Sequence, residues 1–279
     1  MQLSCTRLTP ALGALVHLPT DGPSPATTPQ QFADAVHAAL MEHHVLVFPD
    51  GDLDPAAMVG LGASLGTLGA RHHSYVTHPD FADVVVLSWE GDQQPDAAEW
   101  HADMTYREVP PFASILKAVE VPPSGGDTLW ASMFAVHDAL SPGLRRDLEQ
   151  LHAVHDMGAF RTGAYLAGGN AGISQAHAKA GSAVHPIIDH HPVTGRPYLN
   201  VSESFTRFVI GLSAPESGRR LTLLFDMVNR PDVQVRLKWQ PGTVAIWDNR
   251  GTQHYAVADY LPHRRVMHRV AVVTDQRTP

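Results

Sequence analysis

The run Trp100-His101-Ala102-Asp103 sets an imidazole and a carboxylate two residues apart. In an extended chain such positions point to the same side, so His101 and Asp103 could reach one metal ion. A second imidazole from elsewhere would complete a face of two histidines and one carboxylate. That face leaves three positions of an octahedron open, the arrangement suited to non-haem iron(II) oxygenases. Spacing alone decides little in a chain with 18 histidines. A second His-x-Asp exists at His78-Pro79-Asp80, but its proline points to a solvated turn. The adjacent pairs His43-His44, His72-His73 and His190-His191 would face opposite sides of an extended chain and make poor joint ligands.

A second group is basic. His263, Arg264, Arg265, His268 and Arg269 cluster in a chain of net charge -8. If this run is a strand, Arg265, Met267 and Arg269 share one face and Arg264, Val266 and His268 the other. Two arginines turned into a protein interior are costly unless each meets an anion. The pattern therefore expects two anions at the site.

The elements that must position these groups follow from periodicity. Thr28-Pro29 caps a helix expected over Gln30–His44, and Asp54 caps one over Pro55–Leu65. Further helices are expected over Phe134–Leu140, Pro142–Leu151 and Glu216–Val228. Strands are expected over Val45–Phe48, Asp83–Trp89, Ala113–Val119, Thr128–Ala131, Val233–Trp239, Thr243–Trp247 and Arg264–Thr274. The Gly/Ala-rich stretch Arg161–Ala183 breaks the pattern and is expected to be a mobile lid within a single domain spanning 1–279. Helices first and strands throughout argue for a mainly β fold with flanking helices rather than alternating α/β.

Composition excludes some classes. The negative net charge argues against nucleic acid or an anionic membrane as partner. One cysteine, Cys5, rules out an intramolecular disulfide and the thiolate sets of zinc fingers and iron–sulfur clusters. No signal-peptide pattern and no apolar run near 20 residues is read, so the expected location is the cytoplasm.

The motifs go further. Trp100-His101-Ala102-Asp103-Met104-Thr105-Tyr106, Pro110-Pro111 and Gly125-Gly126-Asp127-Thr128-Leu129-Trp130 together resemble the taurine dioxygenase (TauD/TfdA) family. So do the run from Ala245-Ile246-Trp247-Asp248-Asn249-Arg250 through Gln253-His254-Tyr255-Ala256, Asp259-Tyr260-Leu261-Pro262 and Met267-His268-Arg269. The resemblance runs from about residue 30 to the C-terminus and is weakest across Arg161–Ala183. It implies a double-stranded β-helix, a distorted jelly roll, and a need for Fe(II), 2-oxoglutarate and O2. His254 then takes the place of the distal metal ligand beside His101 and Asp103.

Arg265 stands where the family binds the far carboxylate of 2-oxoglutarate, with Thr128 as its hydroxyl partner. His72, Tyr75, Phe205 and Arg269 match the substrate pocket. The implied activity is hydroxylation of a small anionic substrate, taurine or another alkyl sulfonate. The products would be sulfite and an aldehyde, with succinate and CO2. Ala97 and the stretch Gly158-Ala159-Phe160-Arg161 depart from the taurine pattern, which keeps open a sulfate ester or a carboxylate, including an aryloxyalkanoate. The alternative of another class is a non-catalytic 2-oxoglutarate- or metal-binding module. A homo-oligomer, dimer or tetramer, is expected.

Overall fold

The computed structural model describes residues 2–18, 27–69, 75–93, 95, 98–157 and 181–278. The chain begins with the hairpin β1 (Ser4–Arg7) and β2 (Ala14–His17). Helix α1 (Pro29–His43) starts where the sequence places it. Thr28 Oγ1 accepts from Gln31 N, Gln31 Oε1 accepts from Thr28 N, and Pro29 follows the cap, where its missing N–H is not needed. His44 takes a φ of 62° and ends the helix one residue before the expected boundary, sending the chain into β3 (Val45–Phe48).

Helix α2 (Pro55–Leu65) matches its expected span, and Asp54 Oδ1 accepts from Ala57 N at 2.7 Å. Then come β4 (Gly66–Leu68), β5 (Val76–Thr77), β6 (Val85–Trp89), β7 (Ala113–Glu120) and β8 (Thr128–Ser132). Helices α3 (Met133–Ala139) and α4 (Pro142–Leu148) follow. Helix α4 stops three residues short of its expected end, because Leu151 N donates to Leu148 O at 3.0 Å and turns the chain into β9 (His152–Asp156).

Strands β10 (Ser182–Pro186), β11 (Ile188–His190), β12 (Pro197–Leu199) and β13 (Thr206–Val209) precede helix α5 (Ala214–Asp226). The chain finishes through β14 (Gln234–Leu237), β15 (Val244–Asp248), β16 (Thr252–Ala256) and β17 (Arg265–Asp275). Of the stretch expected to be a lid, 161–180 lie outside the described residues. Its last two residues, Ser182 and Ala183, belong to β10 and pair with Asp156 and His155.

Among the described residues the larger sheet runs β1-β2-β3-β15-β7-β17-β6-β5, with β4 also on β17. Its central strands are buried on both faces, which is why 45–48 and 244–247 read as unbroken apolar runs. The period of two sorts them. Leu46, Phe48, Val244, Ile246, Val270 and Val272 pack outward against α1 and α2. Val45, Val47, Ala245, Trp247 and Met267 pack inward against Trp130 of β8 and Val235 of β14. These two strands belong to the small sheet β14-β8-β16. The inward core is therefore the filling between two opposed sheets. A third cluster holds α3 and α5 against β9, β11 and β12. No described helix is long and apolar enough to cross a membrane.

Candidate active site

His101 is tied to His254 by an isolated antiparallel bridge, His101 N to His254 O at 3.1 Å and His254 N to His101 O at 2.8 Å. Since β16 also pairs with β8, the bridge fastens the Trp100–Asp103 segment to the small sheet. The sequence reasoning expected His101 and Asp103 on one strand. The structure corrects that: the ladder ends at the bridge and Asp103 opens a turn, followed by Met104 at φ 55°. The two side chains still converge. Donor atoms of His101, Asp103 and His254 all lie within 4.8 Å of one another, and all three residues are buried.

The protonation states suit metal ligation. Burial pushes the His254 imidazole down to about 3, with help from His101 and against Asp103, so it is neutral. Burial works against the Asp103 carboxylate. The Arg269 guanidinium outweighs it, aided by His254, His101 and Ser114, and holds the group well below the usual range. A ring nitrogen of His101, Nδ1, sits 2.7 Å from Glu99 O. Donating there leaves Nε2 as the lone-pair nitrogen. Asp103 Oδ1 lies 3.9 Å from His254 Nε2, too long for a hydrogen bond. Ser114 Oγ donates to Asp103 Oδ2 at 3.1 Å.

A cavity of about 70 Å³ is lined by these three residues and by Tyr75, Leu87, Trp89, Met104, Tyr106, Leu116, Thr128, Phe205, Trp247, Ala256, Arg265 and Arg269. Arg265 and Arg269 share the inward face of β17, as the sequence expected. Register with β6 is unbroken from Arg265↔Trp89 to Arg269↔Val85. Just before the strand Arg264 pairs with Glu120 at 3.2 Å near the surface, and the outward face carries the half-buried His268.

The surroundings of the two inward arginines differ. Arg265 is buried; its Nε donates to Gly126 O at 3.0 Å and its Nη2 reaches Thr128 Oγ1 at 3.5 Å. The turn that supplies this carbonyl needs glycine: Gly125 and Gly126 sit at φ 76° and 70°, and a Cβ on Gly126 would meet Arg265 Cδ at 3.1 Å. Asp127 is not its counter-ion, being paired with Arg236 at 2.6 Å. Burial accordingly lowers the Arg265 pKa. Arg269 instead reaches Asp103 at 3.1 and 3.4 Å, while its Nε is buried with no hydrogen-bond partner among the described residues.

Tyr75 stands edge-on to Trp89 at 6.4 Å. Phe205 meets His101 at 6.1 Å and Tyr106 at 5.3 Å. His72 and Ala97 lie outside the described residues. The competing His78-Pro79-Asp80 motif is a turn, with Asp80 N donating to His78 Nδ1 at 3.2 Å, and is no part of the convergent set. Trp89 and Leu87 were not singled out as site residues, because a wall residue on a strand carries no signal beyond its hydrophobicity. Tyr106 lay within a quoted motif but had no assigned role. A larger cavity, about 330 Å³, reaches Ala102 and Gln253 but none of the three convergent residues and neither Arg265 nor Arg269. The chemistry gathers at the smaller one.

Buried ligating groups and inward arginines between two opposed sheets define the class. The chain belongs to the taurine catabolism dioxygenase TauD, TfdA family, whose model matches residues 4–271, and it is a 2-oxoglutarate-dependent dioxygenase with the family's jelly-roll fold. It is 34% identical to an alpha-ketoglutarate-dependent sulfate ester dioxygenase of Pseudomonas putida, over 86% of this chain and 80% of that protein. An alkylsulfatase of Acinetobacter baylyi is likewise 34% identical, over 99% of this chain and 87% of that protein. The crystal structure of a taurine dioxygenase from Burkholderia xenovorans superposes with a TM-score of 0.80 at 29% identity, covering 99% of this chain and 90% of that one.

Proposed function

We propose that this dioxygenase hydroxylates the carbon next to the sulfo group of an alkyl sulfate ester or alkyl sulfonate, with iron(II) held by His101, Asp103 and His254. The observation that carries the reading is one cavity lined by that donor set and by two inward-facing arginines. The donors fit iron(II): one neutral imidazole, one ionised carboxylate and a second imidazole held through Nδ1 by a backbone carbonyl. Iron(II) bound there would supply the O2 chemistry that converts 2-oxoglutarate to succinate and CO2 as the substrate is hydroxylated.

The remaining roles fall to the chain. Arg265 lacks a carboxylate partner among the described residues, and it grips the far carboxylate of 2-oxoglutarate beside Thr128. Arg269 turns its unpaired Nε to the sulfo group. Tyr75, Phe205 and His72 complete the substrate side, with Phe205 and Tyr106 closing an aromatic wall beside the metal ligands that keeps water away. Hydroxylation makes the product unstable: the carbon–sulfur bond of a sulfonate breaks to give aldehyde and sulfite, and the ester carbon–oxygen bond breaks to give aldehyde and sulfate.

Among the described lining residues Asp103 is the one acid, and it is committed to the metal and Arg269. An ammonium group such as taurine's would find no counter-charge there, whereas an apolar alkyl chain meets Leu87, Trp89, Leu116 and Phe205. The names of the sulfate ester dioxygenase and the alkylsulfatase agree with this preference. The test is succinate formation with iron(II), ascorbate and 2-oxoglutarate, using hexyl sulfate, hexanesulfonate and taurine. Hexyl sulfate or hexanesulfonate is expected to outpace taurine, with aldehyde released in step with succinate. Preference for taurine would overturn the apolar-chain reading. Silence of all three alongside turnover of an aryloxyacetate would move the enzyme to carboxylate substrates.

A further inference from the structure

The motif Trp247-Asp248-Asn249-Arg250 contains no proposed ligand, yet its asparagine touches the metal carboxylate's own backbone. Asp103 lies past the last bridge of the ladder and before a residue at φ 55°. No strand among the described residues takes its N–H and C=O, and a buried backbone pair left unmet is costly. Asn249 takes both: Asp103 N donates to Asn249 Oδ1 at 2.7 Å, and Asn249 Nδ2 donates to Asp103 O at 3.0 Å. The second amide hydrogen goes to Pro111 O at 3.0 Å. Two carbonyl partners on the nitrogen and one N–H on the oxygen leave one orientation of the amide.

The clamp is itself anchored. Asn249 N donates to Phe112 O at 2.8 Å, and the side chain is buried. On either side of it Asp248 and Arg250 are joined at 2.9 Å, and Arg250 is joined at 2.9 Å to Asp275. The carboxylate end is set separately. Ser114, in the middle of the larger sheet, donates to Oδ2 at 3.1 Å, while Oδ1, 3.9 Å from His254 Nε2, takes Arg269 Nη1 at 3.1 Å.

We infer that Asn249 and Ser114 are positioning residues of the metal centre, Asn249 replacing for Asp103 the strand partner it lacks and Ser114 holding Oδ2 so that the carboxylate keeps its rotation against the pull of Arg269. A carboxamide is required at 249 because it offers donor and acceptor on one fork. Aspartate offers no donor there and leucine neither group. The inference rests on Asp103 being a metal ligand.

The experiment titrates Mn(II) into the purified full chain, without turnover, and follows the bound ion by electron paramagnetic resonance. In Asn249→Ala the Mn(II) Kd is expected to rise roughly tenfold to a hundredfold, the range usual for groups that orient a ligand. The bound-ion spectrum should broaden well below the melting temperature of the variant. A purely structural residue would lower melting and leave Kd and spectrum alone, and that result overturns the inference. Ser114→Ala keeps every ladder hydrogen bond and stays readable if Asn249→Ala does not fold. It is expected to weaken Mn(II) at least threefold, and an unchanged Kd in it also overturns the inference. Asp103→Ala separates the two levels: if it binds Mn(II) normally, the metal reading itself fails, whereas if it loses Mn(II) while both other variants bind normally, only the positioning role fails.

Discussion

Arg265→Met tests the cosubstrate site most sharply, because it gives opposite outcomes for two readings of one buried cation. If Arg265 holds 2-oxoglutarate, methionine keeps the stem that packs at Gly126 and removes a charge with no carboxylate partner among the described residues. Each charge-assisted hydrogen bond is worth about 1.5–3 kcal/mol. Losing about 3 kcal/mol in all corresponds to roughly a hundredfold in Kd. Calorimetric titration of 2-oxoglutarate into Mn(II)-loaded protein reads this directly.

Melting gives a second measure. At about 100 times its Kd the ligand stabilises wild type by about 2.7 kcal/mol, roughly 5–10 °C for a protein of this size. The same concentration is only about one Kd for the variant and should add about 1 °C. Without ligand the variant should melt at or above wild type, since an apolar side chain replaces a buried charge that Tyr260 and Asp127 offset only in part. A Kd within threefold of wild type, or ligand-free melting several degrees lower, would show that Arg265 is a structural cation and refute the reasoning.

Three further outcomes are expected. Arg269→Ala should raise the KM for the sulfo substrate by roughly ten- to a hundredfold and leave the 2-oxoglutarate Kd near wild type; the reverse pairing in steady-state kinetics would exchange the two anion sites. Burial holds His44 at about 4 and His155 at about 3, the latter aided by His185 and Arg207. Folded pKa values below the unfolded value mean full stability above about 6.5, lost as pH falls toward 4 and 3. At pH 5 each costs on the order of 2 kcal/mol, so urea unfolding that is flat between pH 7.5 and 5 would contradict it. Gly251→Ala should destabilise by at least about 2 kcal/mol in urea, because Gly251 sits at φ 89° and a Cβ would come within 2.5 Å of Phe134 Cε2; a variant as stable as wild type would rule this out.

What could be read from sequence was what local chemistry determines. Thr28-Pro29 and Asp54-Pro55 announce α1 and α2 through caps that act over three residues. The doubly buried strands β3 and β15 announce themselves by unbroken hydrophobicity. The strands from His152 to Val209 escape sequence reading, since each is five residues or fewer and four of the five carry histidine or proline, which give no strand signal. His101 and Asp103 were chosen by assuming one strand, and they converge although the strand stops between them. The family motifs brought in His254 and gave each of the two arginines its role. The contacts that hold Asp103 join residues 11 and 146 apart, a separation at which spacing says nothing and only the folded sheet brings the partners together.

Strand β17 is paired with β6 from Arg265 to Arg269 on one edge and with β7 from Val266 onward on the other. Four residues of extended chain span roughly 13 Å, and neither edge can slide without breaking a ladder. The strand is thus a ruler with two fixed marks. Under the proposed roles the backbone of β17 sets the separation of the two anions, and substrate length beyond the sulfo group falls to the other lining residues.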